Sequence, residues 1–542
     1  MRRYFFFILL VFLLGTIMES CTDVLDTKPY SFTSVDKFYN TAQDAELALT
    51  GCYSLLNTIA VQGTAGGPTF RSTLLHALYT GNDENVTRDG YTDVNLSQYG
   101  LLSVTSQMQS LNNMWFALFA GINRTNYLIN NIDNVPMDPV RRAEVKGEAL
   151  FLRALYYMYT AKLFGGVPVY THYLQDETAQ RQPLKEVYDQ IIADYREAYQ
   201  LLPHRAGMAA RANKWSAGGM LAKVYTYLAS AKKYGTGQQL SQALNKFDWV
   251  DVNATYAQAK IVIDDIIANS GYKLTANYDY LFRETTQAWQ FEECMFVIES
   301  STSPVDGNYN LWINFLVPTG PQTTGAGSGT SRPLGEMYYR YDARDPRRSH
   351  NLSATMPAGS AKETIEGVPY YKPNALANPN TGVYCIAKFR MRDPVGKATA
   401  ASVSTGNTPL LRYADILLLS AEVEQHVGNE QGARDRLREV RKRVITDEVL
   451  LDQLTTVYKR DVFLDELLEE RSRELCFEGW RRIDLIRFNK FETELMKLTN
   501  NRGFYNSNVP AIQANWKPYK IWLPIPRNEI EISPIEQNEG YE

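Results

Sequence analysis

The carboxylates most suggestive of acid–base chemistry are Glu470 and Glu474, one turn apart in a segment with helical periodicity. A glycosidase could use such a pair as general acid and general base. Its carboxylates, however, must face each other across the substrate at a controlled separation. Arg471 and Arg473 share the segment and can neutralise both acids. The sequence therefore favours an ion-pair network that joins helices, and no catalytic residue is predicted.

Other catalytic and metal-binding signatures are missing from the sequence. The five histidines are dispersed without the spacing of metal ligands, and the cysteines form no CxxC pair. The glycine-rich run Gly325–Gly329 has no flanking strand and helix to form a phosphate loop. We expect neither a metal site nor a cofactor, and we expect the protein not to be an enzyme.

Composition argues against nucleic acid as a partner and supplies residues suited to binding sugars. The chain has 542 residues, with 56 basic and 60 acidic side chains, so no basic excess exists to neutralise a nucleic-acid backbone. Aromatic residues make up 12%, including 35 tyrosines. Flat aromatic rings stack on the apolar faces of sugars, while Asp, Asn and Arg hydrogen-bond to sugar hydroxyls. Two loop-rich regions, Gln62–Gln98 and Ser300–Asn407, combine these residue types.

The N-terminus predicts secretion and lipid attachment. Residues 1–20 contain two arginines followed by a short apolar run, which is typical of a signal peptide. The run ends at Ser20-Cys21, as in a bacterial lipoprotein box, so Cys21 is predicted to carry the lipid anchor. Several acyl chains would hold the protein on a membrane without spanning it. Residues 21–35 are expected to be a tether.

Hydrophobic periodicity predicts a mostly helical chain. The predicted helices are Asp36–Leu56, Arg141–Phe164, Leu184–Leu201, Lys214–Tyr234, Tyr256–Asn269, Leu411–Val427, Ala433–Val444 and Asp461–Phe477. Small residues such as Ala421 and Ala433 stand at tetratricopeptide-like offsets. The predicted fold is mostly α, a tetratricopeptide-like helical superhelix with a loop-rich ligand-binding lobe. Its regions are an N-terminal helical part (36–299), a loop-rich insertion (300–408) and a C-terminal helical part (409–542).

A series of short motifs, in one order along the chain, resembles the SusD/RagB family of outer-membrane nutrient-binding lipoproteins. The motifs are Thr41–Asp44, Ala48–Tyr53, Gly121–Asn126, Gly147–Ala154, Phe164–Pro168, Leu411–Asp415, Val440–Arg443, Glu470–Leu475, Pro524–Pro526 and Gln537–Tyr541. Each motif is weak alone, but their common order is specific. Trp115 and Trp480 lie within such motifs and are expected in the core.

The resemblance implies a function and a site. Members of this family capture an oligosaccharide, or sometimes a peptide, and deliver it to a SusC-like TonB-dependent transporter in the outer membrane. The ligand residues that it implies here are Asn82, Asp83, Arg88, Tyr91, Trp289, Tyr309 and Trp312. A cell-surface, oligosaccharide-binding lipoprotein is the expected function. The alternatives are a peptide-binding RagB-like lipoprotein and, less favoured, a helical glycoside hydrolase.

Overall fold

The structure is a computed structural model, and it describes residues 38–57, 73–88, 94–173, 179–300, 313, 316, 329–354, 361–372, 384–390 and 404–541. Most of this chain is helical. The helices of the first half are α1 Ala42–Ser54, α2 Leu75–Tyr79, α3 Val94–Gly100, α4 Gln109–Asn131, α5 Pro139–Phe164, α6 Leu184–Leu201, α7 Lys214–Lys233, α8 Val252–Asn269 and α9 Gln287–Gln290. Those of the second half are α10 Gly335–Arg340, α11 Pro346–Asn351, α12 Tyr413–His426, α13 Glu430–Lys442, α14 Glu448–Tyr458, α15 Phe463–Leu475, α16 Arg481–Arg487, α17 Phe491–Met496, α18 Val509–Asn515 and α19 Arg527–Ile532.

The strands are short and lie mostly in the loop-rich lobe. They are β1 Asn85–Thr87, β2 Cys294–Ile298, β3 Ser331–Pro333, β4 Leu352–Ser353, β5 Lys362–Ile365, β6 Val368–Tyr371, β7 Cys385–Ile386 and β8 Thr408–Arg412. Each belongs to a two-stranded antiparallel sheet, with the pairs β1–β3, β2–β8, β4–β7 and β5–β6. Because such small sheets are weak alone, they depend on packing against the helices.

Local sequence signals set the ends of the main helices. The Thr41 hydroxyl accepts from the Asp44 N–H at 3.2 Å while the Asp44 carboxylate accepts from the Thr41 N–H at 2.9 Å, a capping box that begins α1. Asp138 caps α5, whose first residue is Pro139. Gly165, at φ 78°, ends α5 because a left-handed residue cannot continue the helix.

Successive helices pack side by side into the superhelix that the sequence predicts. Contacts run from α4 through α5, α6 and α7 to α8, and continue from α8 to α12 and α13. Close approach requires small residues, since a Cβ on Gly121 would stand 2.6 Å from the Tyr156 ring and one on Gly218 would stand 2.7 Å from the Tyr199 ring. Ala421 and Ala433 are fully buried at the tetratricopeptide-like positions. The fold is thus a tetratricopeptide-like helical superhelix.

The predicted helices all form, with ends that differ by a few residues, but two further long helices were not predicted. Helix α4 buries polar as well as apolar side chains. Its Asn126, for example, donates to the Tyr170 carbonyl at 3.0 Å. Helix α14 was also missed. Both regions predicted as loops contain short helices and strands, because tertiary pairing stabilises elements too short to show a period.

One continuous hydrophobic core runs from Ala45 to Ile535 and includes Trp115 and Trp480, as predicted. Cys52, Cys294, Cys385 and Cys476 are buried, and none forms a disulfide with another described cysteine. Within the described ranges, no helix has both the length and the apolar composition needed to cross a bilayer.

A buried ion-pair network surrounds α15 and confirms the structural interpretation of Glu470 and Glu474. The Glu470 carboxylate accepts from Arg441 at 2.7 Å, Arg347 at 2.8 Å and Arg473 at 2.9 Å. The carboxylate of Glu474 shares Arg347 with Glu470 and pairs with two further guanidinium groups, those of Arg412 and Arg443. All these side chains are buried, so arginines occupy the space that a substrate would need.

Burial by itself raises the pKa of both glutamates, but the arginines outweigh it. Arg441, Arg347 and Arg473 hold the pKa of Glu470 well below its usual range. Arg443, Arg412 and Arg347 lower the pKa of Glu474 from 4.5 to about 2. Both acids are therefore ionised at neutral pH, and neither is suited to act as a general acid there.

Replacement of Glu470 by Gln should destabilise the protein strongly, because three buried arginines lose their shared counter-charge. We expect the free energy of unfolding to fall by about 3 kcal/mol or more in urea titrations followed by circular dichroism. Glu531→Gln is the matched control, since Glu531 pairs with Arg527 at 2.7 Å and both side chains are more than half exposed. That control should lose less than about 1 kcal/mol. Equal losses in the two variants would contradict the buried network.

The contribution of Glu474 to stability should depend on pH. Because its folded pKa is lowered to about 2, its stabilisation is complete above about pH 4.5 and declines as pH falls towards 2. The difference in unfolding free energy between wild type and Glu474→Gln should therefore be constant from pH 7 to 5 and shrink below about pH 4.5. A difference that grew on acidification would contradict the assigned ion pairs.

Candidate ligand-binding site

Strands β1 and β3 join the two loop-rich regions that the sequence singled out. Asn85 pairs with Pro333 and Thr87 with Ser331, and the Arg88 N–H donates to the Thr330 carbonyl at 2.7 Å. The first region thus leaves β1 beside the point where the second enters β3. Of the predicted ligand residues, half-buried Arg88 lies at this junction. Tyr91, Tyr309 and Trp312 lie outside the described residues.

Asn82 and Asp83 have structural roles that the sequence did not reveal. Asn82 is 1% exposed, and its side chain accepts from the backbone N–H groups of Glu84 and Asn85 and donates to the Tyr79 carbonyl. This geometry forms a tight turn before β1. The polar atoms of Asn82 are therefore satisfied within the protein, and the structure does not present them to a ligand.

Asp83 is an ion-pair partner in the same turn. Its carboxylate contacts Arg481 of α16 at 2.5 and 2.8 Å and Arg340 of α10 at 2.9 Å, and only 2% of the residue is exposed. Burial raises the pKa of this carboxyl, but Arg481 and Arg340 outweigh it and hold the pKa well below its usual range. The carboxylate ties β1 to the helices. This position corrects the prediction that Asp83 is presented to a ligand, because both carboxylate oxygens are hydrogen-bonded to these arginines.

Among the four predicted ligand residues that the structure describes, Trp289 is the one that is exposed. It lies on the short helix α9, is 39% exposed, and has the Tyr280 ring 5.3 Å away at an interplanar angle of 56°. The Tyr280 hydroxyl donates to Glu366, at the tip of the β5–β6 hairpin, and this hydrogen bond raises the tyrosine pKa. Two half-exposed aromatic rings and a carboxylate thus form one surface, which we call the aromatic patch (Tyr280, Trp289 and Glu366).

A short series of contacts leads from the helix of the aromatic patch to buried Ile313. Gln287 on α9 donates to the Thr405 carbonyl at 2.8 Å. The next residue, Gly406, packs on buried Ile313, whose Cδ1 would lie 2.7 Å from a Cβ at that position. Ile313 directly follows Trp312 in the chain. Buried Ile313 therefore lies close to the residues that contact the helix bearing Trp289.

Tyr280 and Glu366 were missed by sequence reasoning. Tyr280 lies in a 3₁₀ turn between the predicted helix Tyr256–Asn269 and the loop-rich insertion, and Glu366 is 86 residues further along the chain. No local spacing connects them with Trp289 across such a distance. Glu366 has φ 49°, which is uncommon outside glycine and is typical of the tight turn where it stands. Only the β5–β6 hairpin brings its carboxylate to the rings.

Family models match two stretches that together include most of the chain. Residues 300–541 match the model described as SusD family, and residues 25–226 match one described as starch-binding associating with outer membrane. Similar proteins include SusD-like protein P2 of Formosa agariphila, 25% identical over the full length of both chains. Another is the starch-binding protein SusD of Bacteroides thetaiotaomicron, 23% identical over 98% of each chain.

Solved structures show the same fold. A SusD homologue from Bacteroides thetaiotaomicron has a TM-score of 0.73 at 20% identity, covering 94% of this chain and 98% of that one. A laminarin-binding SusD-like protein has a TM-score of 0.68 at 22% identity, covering 93% of this chain and all of that one. The ordered motifs, the helical superhelix and the two family matches agree, and the chain belongs to the SusD/RagB family.

Proposed function

We propose that the protein captures oligosaccharides at the outer membrane and does not cleave them. The observation that carries this proposal is the exposed ring pair Trp289–Tyr280 with the Glu366 carboxylate beside it. It is supported by relatives whose names describe starch binding and laminarin binding. Tyr91, Tyr309 and Trp312 are proposed to extend the same surface, and Arg88 to donate to sugar hydroxyls.

The physical basis is the two-sided chemistry of a sugar ring. Its C–H faces gain contact with flat aromatic side chains, and its hydroxyls need donors and acceptors at the ring edge. Trp289 and Tyr280 are inclined to each other by 56°, so together they form a curved surface rather than one plane. A curved surface suits a chain of linked sugars, whose successive rings are tilted. Glu366 supplies an acceptor at its margin.

Binding without turnover is the mechanism that fits the acidic residues. Glu470 and Glu474 are enclosed by arginines, and ionised at neutral pH. A glycosidase needs a protonated acid beside the glycosidic oxygen and a second carboxylate across the sugar. These two glutamates serve instead to hold the lobe on the helices, so the hydrolase alternative loses its candidate pair.

Attachment and delivery complete the proposal. Cys21 is proposed to carry the lipid that anchors the mature chain, with residues 21–35 as tether, on the outer face of the outer membrane. A SusC-like TonB-dependent transporter is proposed to receive the captured sugar. The family model described as associating with the outer membrane supports this location.

Glycan binding can be tested by affinity electrophoresis and calorimetry with starch, laminarin and a wider polysaccharide panel. We expect one glycan to bind, with the dissociation constant raised about tenfold in Trp289→Ala and in Trp312→Ala because stacking is lost. Phe116→Ala is the control, since Phe116 is 50% exposed but belongs to α4. Peptide binding without glycan binding would favour the RagB-like alternative, and release of reducing ends would favour the hydrolase.

Delivery can be tested by purification of the tagged full chain from detergent-solubilised outer membranes. A TonB-dependent transporter should co-purify in stoichiometric amount with wild type and with Trp289→Ala, because the aromatic patch is assigned to sugar and not to the transporter. A Cys21→Ser chain should no longer sediment with the membrane fraction. Retention of that variant on membranes would contradict the assigned anchor.

A further inference from the structure

A surface cleft lies beside the C-terminal residues 519–541. It shares no residue with the aromatic patch. It has a volume of about 480 Å³ and lies between residues 103–107 and Tyr519, Lys520, Gly540 and Tyr541. A small recess of about 10 Å³, enough for one water-sized group, adjoins it and reaches Arg482. Val104, Lys520 and Tyr541 line both spaces, so the recess and the cleft are neighbours that share one wall.

Two cations at this cleft have no carboxylate partner among the described residues. Arg482 is 4% exposed, donates to the Lys520 carbonyl at 2.6 Å, and lies 5.0 Å from the centre of the Phe491 ring. The Lys520 ammonium donates to the carbonyls of Leu102 and Asn515 at 2.8 and 2.7 Å. Those carbonyls carry no net charge. The two positive charges are therefore hydrogen-bonded but not neutralised.

This arrangement differs from that of the neighbouring arginines. Arg481, next in the chain, forms two hydrogen bonds to Asp83, and Arg487 pairs with Glu422 and Asp484. Burial lowers the pKa of Arg482 to about 10, whereas ion pairing raises the pKa of Arg481. Burial, and then the nearby charge of Lys517, lower the pKa of Lys520 as well. An anion in the cleft would lower the free-energy cost of leaving these two positive charges without a counter-charge.

The walls of the cleft suit a ring-bearing ligand. The rings of Tyr519 and Tyr541 meet nearly at right angles, 4.9 Å between centres. Gly540 permits their approach, because a Cβ there would stand 2.3 Å from the Tyr519 ring and the residue has φ 83°. Ser103 and Thr105 supply hydroxyl groups on the opposite wall. The volume is within the range of small-molecule sites.

From this juxtaposition we propose that the cleft is a second ligand site, which binds an acidic sugar. A sulfate or carboxylate group on the sugar is placed against Lys520 in the cleft, with one of its oxygens in the recess that reaches Arg482, and the ring lies against the tyrosine wall. A planar guanidinium and an ammonium are the donors that proteins use for such oxyanions. This site shares no residue with the aromatic patch, which is proposed to stack on neutral sugars. An experiment can therefore reject one proposal without rejecting the other.

The test is calorimetry of the full chain in detergent at low ionic strength, with glucose 6-sulfate, glucose and inorganic sulfate as separate probes. Glucose 6-sulfate should bind most tightly. In Lys520→Gln its dissociation constant should rise about tenfold or more, because a charged hydrogen bond is lost. Lys517→Gln is the matched control, since Lys517 is exposed, adjacent to the cleft and not part of its lining. It should change the constant less than about threefold.

Thermal unfolding should show both lysine variants folded, and Arg482→Lys gives a second variant that keeps the charge but loses the planar donor. It too should weaken binding. Trp289→Ala should leave glucose 6-sulfate binding unchanged. The proposal is overturned if glucose binds as tightly as its sulfate ester, or if inorganic sulfate does so, which would indicate an adventitious ion only.

Discussion

The buried arginine–carboxylate network around α15 is the constraint on which the rest of the structure depends. Arg347 from the loop-rich lobe and Arg441 from the superhelix meet on the single carboxylate of Glu470. Arg412, at the end of β8, is shared between Glu293, Glu474 and Glu478. Buried ion pairs add little net stability over apolar packing, but loss of one partner is costly. Such a network makes wrong arrangements of lobe and helices unfavourable.

The same interactions position the loops. The turn before β1 is held by Asp83 against Arg481 and Arg340, and Glu84 accepts from Ser472 of α15 at 2.6 Å. Strand β1 pairs with β3 and thereby fixes residues 331–333 of the loop-rich lobe. A small two-stranded sheet would be unstable alone. Here its position follows from buried charges on the helical body, so a ligand surface built on loops still has a rigid base.

The guanidinium groups of the chain neighbours Arg481 and Arg482 have different kinds of partner. Arg481, Arg471 and Arg347 each contact a buried carboxylate and serve the architecture. Arg482 and Lys520 use only carbonyl oxygens, at the edge of an open cleft. A charge that the fold itself leaves unneutralised is free to contribute energy to a ligand, whereas a paired one would have to break its existing interaction first. The two arginines at 481 and 482 have identical chemistry and opposite surroundings.

The sequence alone determined the helical class, the positions of the strongly amphipathic helices, and the structural nature of Glu470 and Glu474. These follow from local periodicity, capping residues and the charges of near neighbours, all of which act over one or two helical turns. The ordered motifs determined the family. Tertiary structure alone decided that Asn82 and Asp83 face inwards, that Tyr280 and Glu366 join Trp289, and that Arg482 differs from Arg481. Those outcomes depend on contacts between residues up to 398 positions apart, such as Asp83 with Arg481, and no local pattern encodes them.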